Sequence, residues 1–484
     1  MARIRALRWP AIALAAAPAT LLFAACGESE ERVAFTPDAA PEASSPSPQP
    51  AEQPDGGPRS GHDAAAEPVV CAVTPCAVEL AAGANHVCAR MAEGDVRCWG
   101  DDTFGAIGNG SAPADAGADD GGDPKDGDPK DGDPKGGDPK DGDPKDGDPG
   151  GAPKDDAPKG DTSRPTAVTD IAGATQISAA HRTTCARLDD GSVRCWGGNA
   201  HGQLGLAVAP AIADDLPHPY ASPVALTGAA ERVDVGQRSA CAVLATGALA
   251  CWGSNERQQL ARPERGVLGP VAGDLAGFAV TRAAASEVTT YGLTGTAGRV
   301  KLLSWGALGG RQGSLDPDPV PAVLPELDDV HDVAVGPTHA CAIAGGSVYC
   351  WGSSTKYALC TGLPSSEREP AHALLRTVAY PQQIAVSRNG TCVRLTDGSL
   401  QCCGDASRGQ LALPPPDGGA SALSFTPASG FTGYAVQVVT TDLAACALLA
   451  SGAVECWGGN THGELGRGTR DDEAHPSPER VTFP

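Results

Sequence analysis

A chain of 484 residues with a net charge of −23 has no basic excess for neutralising phosphates, which argues against nucleic acid as a partner. The same charge argues against electrostatic docking on anionic lipid. Its 62 Gly and 42 Pro, with only 4% aromatic residues, indicate many short strands and turns together with some unfolded sequence.

The N-terminus has the pattern of an export signal. Three arginines precede an apolar stretch at 11–23, which is too short for a stable membrane span. We therefore predict that residues 1–25 are a signal peptide. The segment Phe-Ala-Ala-Cys that ends at Cys26 resembles a bacterial lipobox, which predicts lipidation of Cys26. Ordinary cleavage after Ala25 is the alternative.

The segment after the signal peptide has the composition of a tether. Residues 26–70 are rich in Pro, Ala, Ser and Glu and have no apolar period, so they cannot bury enough surface to offset the entropy of ordering. We expect a disordered tether that holds a folded head, residues 71–484, at the bacterial outer membrane or cell surface. A periplasmic or secreted protein is the alternative. The 17 cysteines of the chain fit such an exported, oxidising location.

A motif of Cys, nine residues and Cys-Trp-Gly recurs along the head. CARMAEGDVRCWG, which begins at Cys88, is the first copy, and most intervals between later copies are about 50–56 residues. One copy is a residue shorter, and another has Cys403 in place of the Trp. A seventh copy keeps Trp305 but has other residues where the cysteines would fall, namely Tyr291, Gly292 and Leu303.

Each copy predicts a β-hairpin, because apolar and polar residues alternate on both sides of a turn such as Asp-Asp-Gly. The two cysteines flank the turn symmetrically, so they face each other across an antiparallel strand pair and can form a disulfide. A bridge over such a small loop should stabilise the fold by about 2–3 kcal/mol. The predicted pairs are Cys88 with Cys98, Cys185 with Cys195, Cys241 with Cys251, Cys341 with Cys350, Cys392 with Cys402, and Cys446 with Cys456.

Four cysteines remain once these pairs and Cys26 are set aside. Cys71 and Cys76 are close enough in sequence to pair locally at the start of the head. Cys360 and Cys403 lie one repeat apart at the ends of neighbouring hairpins, which favours a bridge between repeats. An even remainder favours disulfides over a free thiol, and ligand spacing for zinc is missing from the sequence.

Further short elements identify the repeat. GNAHGQLG at 198–205 and GNTHGELG at 459–466 follow a Trp-Gly, and a Gly-x-x-His element ends at His86 and again at His339. Together these resemble the regulator-of-chromosome-condensation repeat over roughly residues 71–484. The resemblance implies an all-β, seven-bladed propeller with disulfide-stapled hairpins. We expect the C-terminal strand to complete the first blade and so close the ring.

Four histidines recur at repeat positions, which predicts structural roles for them rather than ligand binding. His86 and His339 occupy one repeated position, and His201 and His462 occupy another. A residue that returns at the same place in several blades usually serves the blade.

One interval between copies contains an insertion built on Gly-Asp-Pro-Lys-Asp, at 115–161. Proline every five residues and the lack of apolar side chains predict a disordered, low-complexity loop. Its carboxylates lack the order and the closing Glu of a calcium loop, and interspersed lysines partly neutralise them. We therefore prefer a solvated spacer to a weak calcium site.

The sequence contains no nucleophile elbow, phosphate loop, dinucleotide fingerprint or zinc-protease motif, so we predict no catalytic residue, metal or cofactor. We expect a monomeric binding module for an unidentified protein or cell-envelope ligand, without nucleic acid, that contacts the membrane only through its lipid. The predicted binding loops are 207–223, 309–321 and 363–381. The alternatives are a hydrolase or lyase with its site at the channel mouth, and an exchange-factor-like regulator implied by resemblance only.

Overall fold

The computed structural model describes residues 68–111, 161–206, 213–296, 299–307, 316–413 and 421–484. The predicted signal peptide, Cys26, most of the tether and the insertion up to residue 160 lie outside the described residues. Within them, 28 strands form seven antiparallel sheets of four strands each. The predicted all-β propeller with seven blades is therefore confirmed.

Each blade takes four strands in chain order, so the chain builds one blade after another. A 3₁₀ helix at Thr355–Tyr357 follows the third strand of blade 5. The strands are, for blade 1, β1 (Ala77–Ala82), β2 (His86–Met91), β3 (Val96–Gly100) and β4 (Thr166–Ala167); for blade 2, β5 (Ala174–Ala180), β6 (Thr183–Leu188), β7 (Val193–Asn199) and β8 (Asp214–Pro223); for blade 3, β9 (Ala230–Val235), β10 (Ser239–Leu244), β11 (Leu249–Ser254) and β12 (Val267–Ala272); for blade 4, β13 (Val280–Ala285), β14 (Thr289–Thr294), β15 (Lys301–Gly306) and β16 (Asp318–Asp328); for blade 5, β17 (Val330–Val335), β18 (His339–Ala344), β19 (Ser347–Gly352) and β20 (Glu367–Ala373); for blade 6, β21 (Pro381–Val386), β22 (Gly390–Leu395), β23 (Leu400–Gly404) and β24 (Ala422–Pro427); for blade 7, β25 (Ala435–Thr440), β26 (Ala444–Leu449), β27 (Val454–Asn460) and β28 (Asp471–Arg480).

The Cys motif is the hairpin of the second and third strands. In blade 1, Cys88 lies directly opposite Cys98, and their Cα atoms are 4.1 Å apart with the sulfurs at bonding distance. Five other blades repeat this arrangement, and there the facing cysteines are Cys185 with Cys195, Cys241 with Cys251, Cys341 with Cys350, Cys392 with Cys402, and Cys446 with Cys456.

Two further cysteine pairs lie outside the hairpins. The sulfurs of Cys71 and Cys76 are at bonding distance, just before the first strand of blade 1. The same holds for Cys360 and Cys403, which join blade 5 to blade 6. Every cysteine of the described residues therefore has a cysteine partner.

Blade 4 has no cysteine pair, and its register differs by one residue from the prediction. Tyr291 lies opposite Ser304, so Ser304 takes the second cysteine position, while the predicted Leu303 faces Gly292. A Cβ on Gly292 would lie 3.0 Å from the ring of Trp305, which explains the Gly beside this buried indole. Tyr291 instead extends to blade 5, where its hydroxyl accepts the indole N–H of Trp351 at 2.9 Å.

The repeated Trp on the third strand of six blades joins its blade to the preceding one. The indole Nε1 of Trp252 donates to the carbonyl oxygen of Gln203 at 2.7 Å, and Gln203 belongs to the Gly-Gln-Leu-Gly loop of blade 2. Trp99 makes the same contact with the Glu464 carbonyl at 2.8 Å, across the seam where blade 7 meets blade 1. The two sequence elements of the repeat thus form one contact between adjacent blades.

Ring closure does not use an exchanged strand, so that prediction was wrong. The C-terminal strand β28 pairs with β27 inside blade 7, and blade 1 obtains its fourth strand from Thr166–Ala167. Closure uses hydrogen bonds from both side chains and backbone instead, and Asp442 N donates to Ala84 O at 2.7 Å. The Gln437 side chain accepts from Leu80 N at 2.7 Å and donates to Leu80 O at 2.8 Å. Gln383 and Val438 make an equivalent pair of bonds at an internal seam, so the closing seam is held like the others.

Candidate functional site

Strand direction gives the ring two different faces. The loop face has the loops that join first to second strands and third to fourth strands. The turn face has the hairpin turns and the connections between blades. The first strands of adjacent blades contact one another around the ring, so the loops that follow them surround the central channel.

The observed fourth strands change the bounds of the predicted binding loops. In sequence the insertion at 115–161 lies between β3 and β4, and all of it except residue 161 is outside the described residues. The predicted binding loops need correction, because Asp214–Pro223 and Glu367–Ala373 are regular fourth strands that close their blades. The remaining predicted loop, 309–321, overlaps the fourth strand Asp318–Asp328 in the same way. Residues 207–212 and 309–315 lie outside the described residues, and residues 374–380 connect blades on the turn face.

The described chain enters the propeller on the turn face. The backbone nitrogen of Val70 donates to Ala450 O at 2.8 Å, and that of Ala72 donates to Ser451 O at 2.9 Å. Both acceptors lie in the hairpin turn of blade 7. The C-terminal end returns to the same side, where Arg97 on β3 donates to the Pro484 carbonyl. The described chain therefore begins and ends on the turn face, on the side opposite the loop face.

The channel mouth on the loop face is formed by one residue from each blade, four places before the first cysteine position. The seven residues differ in every blade, whereas the Trp, Gly and Cys positions are largely repeated. Seven unlike side chains at one repeated position cannot serve a common architectural contact. The channel mouth consists of Ala84, His181, Gln237, Glu287, Pro337, Arg388 and Asp442.

A cavity of about 110 Å³ opens at this mouth. Arg388 and Asp442 form its charged edge: Arg388 Nε lies 3.1 Å from Asp442 Oδ2, and Arg388 N donates to Asp442 Oδ1 at 3.2 Å. His181 and Gln237 also line it, and so does Thr440, whose Oγ1 is buried without a hydrogen bond to any described residue. The cavity thus combines an ion pair with polar groups that have no partner among the described residues.

His181 is held in an unusual conformation for a non-glycine residue, with φ of 52°. Burial, with the neighbouring Arg182 as a smaller cause, lowers the pKa of His181 from its ordinary value. Arg182 itself lies over the ring of Phe104, 4.1 Å from its centre. The imidazole is therefore neutral at pH 7 and can offer one donor and one acceptor to a ligand.

The repeated histidines occupy positions between blades. The Nε2 atoms of His86 and His339 lie 2.8 Å from the hydroxyls of Thr184 and Thr391, each in the following blade. Burial lowers the pKa of both histidines to about 4, so both are neutral at pH 7. This geometry agrees with a structural role.

The second repeated pair lies in the loops after the Trp-Gly. The backbone nitrogen of His201 donates to Gln203 Oε1, and that of His462 donates to Glu464 Oε2, both at 2.8 Å. The His462 ring donates from Nδ1 to Glu464 Oε1 at 3.0 Å, and this hydrogen bond raises the pKa of His462. Both contacts stabilise the turn in which they occur.

Asp102 is a residue that the sequence analysis missed. It takes the position of Asn199 in the loop that opens the insertion, and its Oδ1 accepts from Ile107 N at 3.0 Å as the Asn does from Leu204 N. Burial raises the pKa of Asp102 to about 6. Alignment of the loops would have shown the exchange of Asn for Asp, but not its burial.

The described residues were also compared with the requirements of a metal site and of a membrane-spanning helix. Over the described ranges, no group of three or more His, Cys, Asp or Glu is placed to hold a metal ion. In the same part of the chain, no helix is long and apolar enough to cross a bilayer. The predicted absence of catalytic residues and cofactors stays a prediction.

A family model described as the regulator of chromosome condensation (RCC1) repeat matches residues 77–106 and 174–203, in blades 1 and 2. A chain in the crystal structure of Kap60 bound to yeast RCC1 (Prp20) is 14% identical, with 90% of this chain and 91% of that chain covered and a TM-score of 0.61. Human WBSCR16 is 20% identical, with 67% and 86% covered and a TM-score of 0.57. At these identities the structural likeness shows the fold alone. No curated protein matches the sequence.

Proposed function

Because the chain is a seven-bladed propeller with regulator-of-chromosome-condensation repeats, we propose that it is a non-catalytic module that binds another protein through its loop face. The observation that supports this most strongly is the channel mouth, where seven blades place seven different side chains. Architecture repeats residues from blade to blade, so a position that differs in all of them is available for recognition. The yeast propeller that shares this fold is itself seen with a bound protein, Kap60.

The proposal includes an exported head anchored at the cell envelope through Cys26. Eight cysteine pairs at bonding distance support an oxidising location. The entry of the chain on the turn face supports attachment on the side away from the loop face. A flexible tether that joins the head at Val70 meets the turn face, which leaves the loop face clear of the attachment and accessible to a partner.

Cys26→Ser tests the anchor. In cells that make the intact chain, we expect the unsubstituted protein in the membrane fraction and labelled by fatty acid, because a lipid chain on Cys26 partitions into the bilayer. The Cys26→Ser protein should lose the label and leave the membrane fraction. Ser29→Ala is the matched control and should behave like the unsubstituted chain. Retention of Cys26→Ser in the membrane would contradict the anchor.

Charge reversals on the two faces test the binding surface. The intact, oxidised protein serves as bait for the envelope proteins of its own cell, and bound proteins are identified by mass spectrometry. We expect Arg257→Glu with Lys356→Glu, both on the loop face, to reduce capture of a stoichiometric partner by about tenfold or more, since reversed interface charges repel a matched partner. Glu93→Lys with Asp190→Lys, both on the turn face, is the matched control and should leave capture unchanged. The opposite pattern would assign binding to the turn face, and a repeated blank would contradict a binding module.

A further inference from the structure

We propose that the channel mouth is a carboxylate-binding pocket, in which Arg388, Gln237 and His181 receive one carboxylate of the partner. This inference rests on the proposed function, because it names the group that a loop-face partner would present. The carboxylate belongs either to an acidic side chain or to the C-terminus of the partner. The two sources share one chemistry, and the experiment below separates them.

The side chains of the channel mouth are available because the backbone makes the contacts between blades. Ala84 N donates to His181 O, and Asp442 N donates to Ala84 O, both at 2.7 Å. These bonds link blades 7, 1 and 2 through main-chain atoms. The His181 and Gln237 side chains make no hydrogen bond within the described part of the chain, although both line the cavity.

Arg388 is oriented for a carboxylate. Asp442 accepts from both the backbone nitrogen and the Nε of Arg388, so one side of the guanidinium is held in place. Its two Nη atoms make no hydrogen bond with the described residues, and 48% of the side chain is exposed. A guanidinium fixed at Nε presents its two Nη donors as a fork that matches the two oxygens of a carboxylate.

The remaining charges at the mouth do not oppose an anion. Asp442 contacts Arg388, so the pair is close to neutral, and the free Nη donors of Arg388 rather than a net positive charge receive the anion. The other acid of the mouth, Glu287, is paired with Arg238 at 2.8 Å. Thr440 adds a buried hydroxyl that lacks a partner among the described residues, and a hydroxyl can donate to a carboxylate oxygen.

The size of the cavity suits a small acidic group. Its volume of about 110 Å³ is somewhat below the roughly 150 Å³ that holds benzene in an engineered protein cavity. A carboxylate with one or two methylene groups fits this space. The small walls formed by Ala179, Val235 and Val335 suit the methylene portion of such a group.

Saturation-transfer NMR on the intact protein tests the pocket with three probes. The N-methylamide of N-acetylglutamic acid presents a side-chain carboxylate, N-acetyl-Gly-Gly presents a terminal one, and the N-methylamide of N-acetylglutamine is neutral. We expect saturation transfer to at least one acidic probe and about tenfold weaker binding of the neutral one. The acidic probe with the stronger signal identifies the source of the carboxylate. Equal binding of the neutral probe, or no transfer to any probe, would overturn the proposal.

Substitutions of Arg388 test whether the acidic probes bind at the channel mouth. Arg388→Gln should weaken the acidic probe by about tenfold, and Arg388→Lys should retain part of the binding because it keeps the charge but not the fork. Arg408→Gln, also on the loop face, is the matched control, and an unchanged thermal midpoint shows that each variant is folded. Undiminished binding to folded Arg388→Gln would refute the assignment. These probes need no partner, so failure here leaves the loop-face capture result intact, and failure of capture leaves probe binding intact.

Discussion

Cys403→Trp alone is expected to destabilise the propeller by at least about 4 kcal/mol, and addition of Cys360→Gly should recover much of that loss. Blade 6 has a Cys where the other blades have the repeated Trp. Blade 5 has Cys360 where the preceding loop ends in Gly or Ala in the other described blades, as in Gly205 and Ala261. We infer that the disulfide between the two cysteines replaces the contact made by the repeated Trp. A single substitution that restores the common residue at one position therefore breaks the disulfide without forming that contact.

The common contact shows why the substitutions are coupled. A Cβ on Gly205 would lie 2.8 Å from Cδ1 and Nε1 of Trp252. Ala261 and Ala412 take the same position in front of Trp305 and Trp457, so this position accepts only a very small residue beside the indole. Cys360 and Gly205 also share a left-handed backbone, with φ of 55° and 60°. Gly at position 360 therefore removes a clash and suits the backbone conformation as well.

The expected loss of stability in Cys403→Trp has two contributions, the lost disulfide and the crowding around the new indole. The bridge between Cys360 and Cys403 spans a sequence separation of 43, for which chain entropy predicts about 4 kcal/mol of stabilisation. A Trp forced against Cys360 adds an overpacking cost of about 1–3 kcal/mol. In the double variant, the new indole can donate to Ala358 O, which already lies 3.6 Å from Cys403 Sγ. Apolar packing and this hydrogen bond then replace the covalent link.

Urea unfolding of the four chains in a double-mutant cycle measures this coupling. Cys360→Gly alone, Cys403→Trp alone, the double variant and the unsubstituted protein are compared under oxidising conditions. We expect a coupling free energy of about 2 kcal/mol or more in favour of the double variant. Additive effects of the two substitutions would show that the cysteines do not stand in for the Trp–Gly pair.

The hairpins and their cysteine pairs were predictable because they are local. A turn with Gly between alternating strands determines which residues face each other, and nine intervening residues place Cys88 opposite Cys98. The same reasoning failed in blade 4, where no cysteine marks the register and Ser304 rather than Leu303 takes the position. The register of a hairpin was therefore predicted correctly only where a pair of cysteines marked it.

Ring closure and the channel mouth were beyond local reasoning. The hydrogen bonds between Gln437 and Leu80 join residues 357 positions apart, and no local sequence pattern predicts a contact over that separation. The unlike residues of the channel mouth could be read from the aligned repeats. Their convergence on one cavity could not, because it depends on the closed ring that brings Gln237 and Arg388 together.

The stability of the propeller should fall steeply as the pH is lowered from 6.5 towards 4, because His86 and His339 are buried as neutral groups. Burial lowers the pKa of each from 6.5 to about 4. Above pH 6.5 neither the folded nor the unfolded state protonates these histidines, and their contribution to stability is complete. Between 6.5 and 4 the unfolded chain binds protons that the folded chain does not, which favours unfolding.

The size of the effect follows from the two pKa values. At pH 4.5 each histidine should cost about 2.5 kcal/mol of the stability present at pH 7.5, or about 5 kcal/mol for the two. Other groups also titrate in this range, and Asp102, whose pKa burial raises to about 6, acts in the opposite direction. A comparison of variants therefore isolates the histidines better than the pH profile of one chain.

His86→Gln with His339→Gln should flatten the pH dependence of the free energy of unfolding, measured with urea at intervals between pH 7.5 and 4.5. A Gln amide can reach Thr184 and Thr391 much as the imidazole Nε2 does, and it does not titrate. His372→Gln, at an exposed position of β20, is the matched control and should keep the original slope. If the double variant lost stability with acid as steeply as the control, protonation of these two side chains would not be what weakens the contacts between blades.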